Sequence, residues 1–400
     1  MRVLIYTHAI APKIGGVETY VMLLAQGLAR ETARSGLQVT VATPTPAGDW
    51  DDSALPFHLV REPGLATLLK LLWHADVIHL AGPTFLPMLL GLLFRKQVVV
   101  EHDGYQACCP NGLLLDERTK SVCPGHFMAG RYSECMGCNG ANAGLGRSLT
   151  MLLLTFARRW LCAHATRNVA PSVHVGRRVA MPRTLNIHHG VPEPPAILQS
   201  GNGHPTSPLC FGYVGRLVSE KGVPVLLGAA RELIARGYDF RLKIIGDGPE
   251  RQNLEEMTQG YGLRSRTLFT GYLHGDALHD ALQGVPVTVM PSVWEDVAPL
   301  AAIEHMLHGR LLIASDIGGL AELVDGTGLK FPAGDAEGLA SCLQRVLDEP
   351  NLAKSLGGKA RERALRLFLA ERMVAEHLAL YQNLASRSRR SWRTGVNLAR

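Results

Sequence analysis

Two acidic residues near position 300 stand where a predicted strand turns into a predicted helix. Asp296 and Glu304 are eight positions apart, and Glu295 lies beside the first of them. The free backbone N–H groups at the start of a helix favour the binding of a phosphate group. A carboxylate at each end of such a turn can accept hydrogen bonds from sugar and ribose hydroxyls. The pattern therefore predicts a site for a sugar nucleotide.

Two basic residues precede this acidic pair on a separate loop. Arg216 and Lys221 are five positions apart, just past a run of residues that predicts a strand. A rigid guanidinium fork and an ammonium point charge can together neutralise a diphosphate without a metal ion. No Asp-x-Asp motif occurs in the second half of the chain, and we expect no divalent metal in catalysis. The alternative is that both side chains face solvent.

The first half of the chain carries its own candidate residues. Gly15 and Gly16 precede a predicted helix, where glycines allow a phosphate to approach the backbone. His102 and Asp103 follow an apolar strand, at the end where ligands bind in parallel α/β sheets. A lone histidine is often structural, so an ordinary glycine loop and a structural histidine are the alternatives.

Apolar strand-like runs alternate with helical runs along the chain, which favours parallel α/β sheets. Between the first two strands, Val17, Val21, Leu24 and Leu28 recur at helical spacing. Residues 193–208 are rich in Pro, Gly and Ser and predict a linker. The predicted strands are 2–7, 38–43, 76–80, 97–102 and 167–171 before the linker, and 210–215, 241–246, 267–271, 287–292, 311–315 and 330–333 after it.

The length of 400 residues exceeds one ordinary core, and 46% hydrophobic with 19% charged residues describes a globular protein. We predict two doubly wound, Rossmann-like domains, residues 1–192 and 209–385, that face each other across a cleft and bind ligands at the carboxyl ends of their strands. A helix near 371–384 is expected to cross back onto the first domain. Residues 386–400 form a basic tail that either contacts acidic lipids or is solvated.

The net charge of +6 is mild, and we expect no nucleic-acid partner. The first residues predict a strand rather than a signal peptide, and no apolar run reaches the ~18 residues of a membrane span. We therefore expect a cytoplasmic protein without disulfides. The apolar helix 147–166, which carries three arginines and Trp160, is either buried in the first domain or rests on a membrane. The second reading gives a peripheral protein on the inner face of the membrane.

An insert at 108–138 holds five of the eight cysteines. Four thiolates can hold a structural zinc ion and fold a loop that has no core of its own. Cys135 and Cys138 form a Cys-x2-Cys pair, and Cys109 and Cys123 complete the predicted metal set, with Cys108 or His126 as substitutes. The alternatives are reduced cysteines in apolar packing and a redox-labile pair.

The acidic motif resembles the signature Pro-Ser-x-x-x-Glu-x7-Glu of the family 4 retaining glycosyltransferases, which have the GT-B fold. Here it begins at Pro291 and Ser292, with Asp296 in place of the first glutamate. The resemblance extends to segment 213–222 and, less specifically, to nearly the whole chain. Some relatives carry a comparable cysteine-bearing loop, whose place suggests a role in shaping the acceptor pocket.

The resemblance implies a role for each matching residue. Glu304 would hold the ribose hydroxyls, and Asp296, or Glu295 in its place, the hydroxyls of the sugar. Arg216 and Lys221 would bind the diphosphate, and the backbone N–H groups of Leu300 and Ala301 would contact its β-phosphate. Tyr272 and Leu273 would contact the base. From the other side of the cleft, Gly15 and Gly16 would contact the donor, and His102 would contact the donor sugar.

The implied function is transfer of a sugar, with retention of configuration, from a nucleotide diphosphate donor to a hydroxyl acceptor. A bacterial polysaccharide or lipid-linked glycan is the expected acceptor class. Two alternatives are a nucleotide-sugar epimerase of the same fold and a non-catalytic nucleotide-sugar-binding protein.

Overall fold

A computed structural model describes residues 1–13, 15–31, 36–195 and 208–396. The chain forms two compact units. The first comprises Met1–Arg118, Pro124–Val191 and Leu369–Arg400, and the second comprises Thr119–Cys123 and Pro192–Phe368. The break after Val191 lies beside the boundary expected at residue 192, and most of the predicted linker, residues 196–207, falls outside the described residues.

The first unit is built on a parallel sheet of seven strands in the order β3-β2-β1-β4-β5-β8-β9. Its central strands are short apolar runs, and parallel strands covered on both faces require such runs. The strands are β1 (Arg2–Thr7), β2 (Gln38–Thr43), β3 (His58–Arg61), β4 (Val77–Ala81), β5 (Gln97–Glu101), β8 (Arg167–Ala170) and β9 (Thr184–Asn186). Two short strands lie outside this sheet: β6 (Leu115–Asp116), and β7 (Ser121–Val122), whose residues belong to the second unit.

Six helices accompany these strands within the described sequence up to Val191. The first buries Tyr20, Val21, Leu24 and Leu28 on one face, as the 3.6-residue spacing predicts. Full burial of each leucine contributes roughly 1.5–3 kcal/mol. The helices are α1 (Gly16–Arg30), α2 (Leu65–His74), α3 (Phe85–Leu93), α4 (Tyr132–Ala143), α5 (Leu145–His164) and α6 (Val173–Val179).

The second unit has a parallel sheet of six strands in the order β12-β11-β10-β13-β14-β15. The strands are β10 (Cys210–Val214), β11 (Arg241–Ile245), β12 (Thr267–Gly271), β13 (Val287–Met290), β14 (Leu311–Ser315) and β15 (Leu329–Phe331). A 3-10 turn (Ser219–Lys221) and the following helices accompany them: α7 (Val223–Ala235), α8 (Arg251–Gly260), α9 (Gly275–Ala281), α10 (Leu300–Leu307), α11 (Gly318–Leu323), α12 (Ala336–Asp348) and α13 (Leu352–Leu367).

The last helix, α14 (Ala370–Val396), belongs to the first unit. Met373, Leu380, Tyr381 and Leu384 pack in the same apolar core as α1 and β1. The second unit therefore ends at Phe368, earlier than the predicted limit at residue 385, because the apolar face of this helix is buried in the first unit. The predicted tail 386–400 begins inside α14, and its side chains beyond Ser386 lie outside the described residues.

Each long apolar run predicted as a strand is a strand, with ends that differ by at most three residues. The predictions missed β3 and β9, which are short and only partly buried, and the two-residue strands β6 and β7. Helix α5 is not simply buried, since it leaves Leu149, Leu153 and Trp160 exposed. Within the described residues, none of the helices combines the length and hydropathy that a membrane crossing requires.

Candidate active site

The carboxyl ends of β10 and β13 in the second unit bring together two of the predicted residues. Lys221 Nζ lies 2.7 Å from Asp296 Oδ1, and Ser292 Oγ donates a 2.6 Å hydrogen bond to Asp296 Oδ2. Asp296 is only 4% exposed. These two side chains are therefore not solvated surface charges. They form a charge-assisted pair between the loops that were predicted to bind opposite ends of one ligand.

The two loops pack backbone against backbone, and glycine makes this approach possible. Gly222 has φ +67°, and a Cβ atom there would lie 1.9 Å from the carbonyl oxygen of Pro291. The N–H of Val293 donates to the carbonyl of Glu220 at 3.0 Å. Because a side chain at residue 222 would separate the loops, this glycine fixes Lys221 beside Asp296.

A second close approach supports the acidic loop from the other side. The N–H of Gly319 donates to the carbonyl of Asp296 at 2.7 Å, and a Cβ atom at Gly319 would lie 2.0 Å from the carbonyl oxygen of Val297. The Gly318–Gly319 turn that follows β14 therefore holds the backbone of Asp296 in place.

Arg216 and Glu304 are the more accessible members of the predicted set. The Arg216 side chain is 69% exposed, and its nearest acid is Glu220 at 3.9 Å. Glu304 retains exposed surface, but surrounding protein atoms desolvate its carboxyl group and raise its pKa above the usual range. An open guanidinium and a desolvated carboxyl group are both suited to bind a polar ligand.

The predicted backbone contacts lie at the start of α10. Pro299 is the residue before the first helical turn, and Leu300 begins the helix. The first N–H groups of a helix have no partner within it, so Leu300 and Ala301 are placed as a phosphate contact requires. Glu295 is buried beside Asp296, and Lys221 and Ser292 contact Asp296.

Sequence reasoning missed Trp294 on the same loop. Its ring lies 5.5 Å from Lys221 Nζ, and its indole Nε1 is buried without a hydrogen-bond partner among the described residues. A buried donor of this kind normally has a partner, so it offers a hydrogen bond to a ligand. The only sequence signal was its position inside the acidic motif. Tyr272, predicted to contact the base, is exposed and directly follows β12.

In the first unit, His102 directly follows β5 and is fully buried. Its Nε2 lies 2.9 Å from Asn168 Oδ1, while Asn168 Nδ2 donates to two backbone carbonyls. This network makes Nε2 the protonated nitrogen, so Nδ1 carries a lone pair, and no described group contacts it. Burial lowers the pKa of His102. A neutral imidazole can then accept a hydrogen bond from a hydroxyl through Nδ1.

Gly15 and Gly16 lie at the start of α1, as predicted. A Cβ atom at Gly16 would meet no atom within 4 Å. The packing of the protein therefore does not require a glycine there, whereas a ligand that approaches the backbone would.

Behind His102 lies a buried polar network that the sequence did not reveal. His189 Nε2 lies 3.1 Å from Asp103 Oδ1 and 3.3 Å from Glu101 Oε1. Burial lowers the pKa of His189, but the adjacent carboxyl groups of Asp103 and Glu101 outweigh it and raise the pKa to about 9. His189 is therefore a cation that holds both acids. The one sign of this network in the sequence was a glutamate, Glu101, at the end of an apolar strand.

In the cysteine insert, the four cysteines predicted to bind zinc are all buried. Asn111 connects two of them, because Cys109 Sγ donates to its Oδ1 at 2.9 Å and its Nδ2 donates to Cys138 Sγ at 3.7 Å. The N–H of Glu117 also donates to Cys138 Sγ at 3.3 Å. Among the described residues, two groups of three side chains have potential metal-ligand atoms that all lie within 4.8 Å of one another. Neither group contains a cysteine.

Comparisons with known proteins agree with this architecture. The family model described as Glycosyltransferase Family 4 matches residues 14–183, and the model described as Glycosyl transferases group 1 matches residues 197–363. A 2-deoxystreptamine glucosyltransferase of Streptomyces kanamyceticus is 36% identical over 42% of this chain and 43% of its own length. An alpha-D-kanosaminyltransferase of the same organism is 35% identical over 37% of this chain and 39% of its own length. The matched segment thus spans about two fifths of each of these curated relatives.

Solved structures match over almost the whole chain. Sucrose-phosphate synthase from Thermosynechococcus elongatus superposes with a TM-score of 0.70 at 23% identity, over 96% of this chain and 99% of its own. Anabaena HepE in complex with UDP superposes with a TM-score of 0.69 at 14% identity, over 96% of this chain and 100% of its own. At these identities the likeness establishes the fold. With the two family models and the two parallel sheets, it shows that the chain belongs to the group 1 glycosyltransferases of the family 4 type and has the GT-B fold.

Proposed function

We propose that this protein transfers a sugar from a nucleoside diphosphate to a hydroxyl group, with retention of anomeric configuration. The observation that carries the proposal is the Lys221–Asp296 pair at 2.7 Å, next to the helix start that precedes Glu304. Two adjoining loops and the helix start thus present a cation, two carboxyl groups and helical N–H groups. The Anabaena HepE structures contain UDP and glucose, which is consistent with a nucleotide-sugar donor here.

Lys221 is the residue that we assign to the diphosphate, together with Arg216. An ammonium group has three donors, so Lys221 can keep its contact with Asp296 while it donates to a phosphate oxygen. Asp296 then has a dual role, since it orients Lys221 and accepts a hydrogen bond from the sugar. Glu304 accepts the ribose hydroxyls, and the N–H groups of Leu300 and Ala301 contact the β-phosphate.

The chemical step that we propose requires little from the protein beyond positioning and charge stabilisation. The bond from the anomeric carbon to the phosphate oxygen breaks, and the acceptor oxygen bonds to that carbon on the same face. The departing phosphate oxygen takes the acceptor proton. Lys221 and Arg216 stabilise the charge that develops on the diphosphate. The free Nδ1 lone pair of His102 supports a role in accepting a hydrogen bond from a sugar hydroxyl.

We assign the acceptor to glycans or lipid-linked glycans that are reached at a membrane surface. The observation behind this is an exposed apolar face on three helices of the first unit, which we call the apolar face: Leu65 and Trp73 of α2, Leu86 and Leu93 of α3, and Leu145, Leu149, Leu153, Phe156 and Trp160 of α5. Helix α3 contacts both of the others, and none of the three contains an acidic residue. Exposed Lys70 and Arg147 favour an anionic lipid surface.

For the cysteine insert we propose a structural zinc ion on Cys109, Cys123, Cys135 and Cys138. The hydrogen bonds that Cys138 Sγ accepts from Glu117 and Asn111 would stabilise a thiolate, as outer-shell groups do in metal sites. We assign no divalent metal to the transfer step, for which Lys221 and Arg216 supply the positive charge.

The experiment is to incubate the protein with UDP-, GDP- and ADP-sugars and a panel of glycan and lipid-linked acceptors, and to determine the anomeric configuration of the product by NMR. We expect a product with the configuration of the donor. A product of inverted configuration would contradict the retaining assignment, and a converted donor sugar without transfer would contradict the transferase assignment itself.

A further inference from the structure

Four polar side chains meet in the interior of the first unit. They are Tyr20 of α1, His79 of β4, Glu101 of β5 and His377 of α14. All four are 0% exposed. Each comes from a different element, so the fold brings them together from positions more than 350 residues apart in the sequence.

Their terminal atoms form a compact cluster, in which the ligand atoms of His79, Glu101 and His377 all lie within 4.8 Å of one another. Tyr20 Oη is 3.2 Å from His79 Nε2, 3.1 Å from Glu101 Oε2 and 3.4 Å from His377 Nε2. Glu101 Oε2 is 3.8 Å from His79 Nε2 and 3.3 Å from His377 Nε2. Ligands about 2.05 Å from a tetrahedral zinc ion are about 3.4 Å from one another. The five distances are centred on that value.

Three of the four side chains, those of His79, Glu101 and His377, are each oriented by a second contact at their other polar atom. His377 Nδ1 lies 2.9 Å from the carbonyl of Met373, and His79 Nδ1 lies 3.0 Å from Tyr381 Oη. The other oxygen of Glu101, Oε1, lies 3.3 Å from His189 Nε2. Metal-binding histidines and carboxylates are usually supported in this way.

The protons of the site leave one contact unexplained. A carbonyl can only accept, so Nδ1 of His377 carries a hydrogen and Nε2 of the neutral ring has a lone pair. That lone pair faces Glu101 Oε2 at 3.3 Å, and the carboxylate oxygen also only accepts. Tyr20 has a single hydroxyl hydrogen, which cannot be donated to His377 Nε2, Glu101 Oε2 and His79 Nε2 at once. A cation between His377 and Glu101, either a second proton or a metal ion, is therefore required.

We propose that Tyr20, His79, Glu101 and His377 form a closed, structural zinc site. Two imidazole nitrogens, a carboxylate and a phenolate in tetrahedral geometry suit zinc. On binding, the Tyr20 hydroxyl proton leaves for solvent, and the phenolate and the Glu101 carboxylate together balance the two charges of the ion. A neutral assembly of this kind lowers the cost of burying charge. The ion would join α14 to β4 and β5, directly behind His102.

The test is the zinc content of the full-length protein, measured by elemental analysis after growth with added zinc and extensive dialysis. In Cys135→Ser protein, which removes a ligand of the thiolate site proposed for the insert, we expect one equivalent of zinc to remain. In Cys135→Ser/His377→Gln protein that equivalent should be absent. The matched control is Cys135→Ser/His305→Gln, because His305 is a buried histidine of the second unit that belongs to neither ligand group, and it should keep the equivalent.

Cobalt substitution provides a measurement that does not depend on the folding of a His377 variant. Cobalt(II) in the Cys135→Ser protein should show the intense d–d absorption of a tetrahedral site without a sulfur-to-cobalt charge-transfer band. Absence of metal from the Cys135→Ser protein, retention of zinc in the Cys135→Ser/His377→Gln protein, or a spectrum with sulfur ligation only would each overturn the proposal. The cation between His377 and Glu101 would then be a proton.

Discussion

The carboxyl ends of the two parallel sheets hold charged groups in opposite ways. In the second unit, Lys221 and Asp296 pair at the surface end of the strands, beside exposed Arg216. In the first unit, Glu101 is sealed from solvent among His79, His189 and His377. The same architecture thus supports a charge pair beside an exposed arginine, where a ligand can bind, and a charged network that is sealed from solvent. We expect substitutions at the first to affect chemistry and substitutions at the second to affect stability.

The largest effect is expected from Glu101→Ala. This change leaves the buried His189 cation with Asp103 as its one remaining acidic partner. Removal of one member of a buried ion pair typically costs about 3–5 kcal/mol. Urea denaturation should therefore show a drop of that order in the free energy of unfolding. Glu304→Ala, which removes a carboxyl group paired with no described residue, should change it by less than about 1 kcal/mol. Equal losses for the two variants would remove the contrast between the sheets.

The next effect concerns the transfer step. Lys221→Ala removes a donor from the leaving diphosphate, and loss of one such group typically lowers kcat by about 10²–10³-fold. Asp296→Asn should cause a comparable loss, because it removes both the partner of Lys221 and the acceptor for the sugar hydroxyl. Glu295→Gln is the matched neighbour and should retain most activity in a donor-consumption assay. A larger loss in Glu295→Gln than in Asp296→Asn would make Glu295 the acid that contacts the sugar.

The comparison also explains which features the sequence could reveal. The Lys221, Asp296 and Glu304 set lies on short segments with fixed spacing, and local spacing is visible in a sequence. The strands were equally visible, since parallel central strands must be apolar runs. In contrast, His79, His189 and His377 have no spacing in common, and only the sheet order β1-β4-β5 and the return of α14 place them around Glu101.

Other features escaped prediction for different physical reasons. Strands β3 and β9 lie at the edges of their sheet and are only partly buried, so they lack the apolar signal. Helix α5 is apolar on more than one face, and composition alone did not decide between burial and a surface role. Trp294 has a buried N–H without a hydrogen-bond partner in the part of the chain that the structure describes, which only atomic contacts can show.

A pH effect of moderate size is expected at Glu304. Desolvation raises the pKa of this carboxyl group in the folded protein, and the ionised form is the one that accepts two ribose hydroxyls. Nucleotide affinity should therefore fall on acidification at a higher pH than the usual value of about 4.3 for glutamate. For stability the sign is opposite, because a raised carboxyl pKa favours the folded state at low pH and that contribution is lost as pH rises. Titration calorimetry of wild type and Glu304→Gln, whose amide does not titrate, measures the difference.

The smallest effect is expected at the apolar face. Leu153 of α5 is 58% exposed, and Leu153→Glu should weaken binding to vesicles that contain anionic lipid by roughly tenfold, since burial of one leucine contributes about 1.5–3 kcal/mol. Leu268 of β12 is 55% exposed in the second unit, so Leu268→Glu is a matched control and should bind as wild type does. Sedimentation with vesicles measures the vesicle affinity of both variants. Equal weakening in the two variants would contradict a specific membrane-binding face.

The most direct test of the donor site is nucleotide binding without added metal. Thermal-shift and calorimetric titrations with UDP, GDP and ADP should show stabilisation by one nucleotide family. Lys221→Ala and Glu304→Ala proteins should lose that stabilisation while they remain folded, and Lys359→Ala, which removes an exposed lysine of α13 in the same unit, should keep it. Undiminished binding in the Lys221 and Glu304 variants, or no response to any nucleotide in the wild type, would contradict a donor site at the carboxyl ends of β10 and β13.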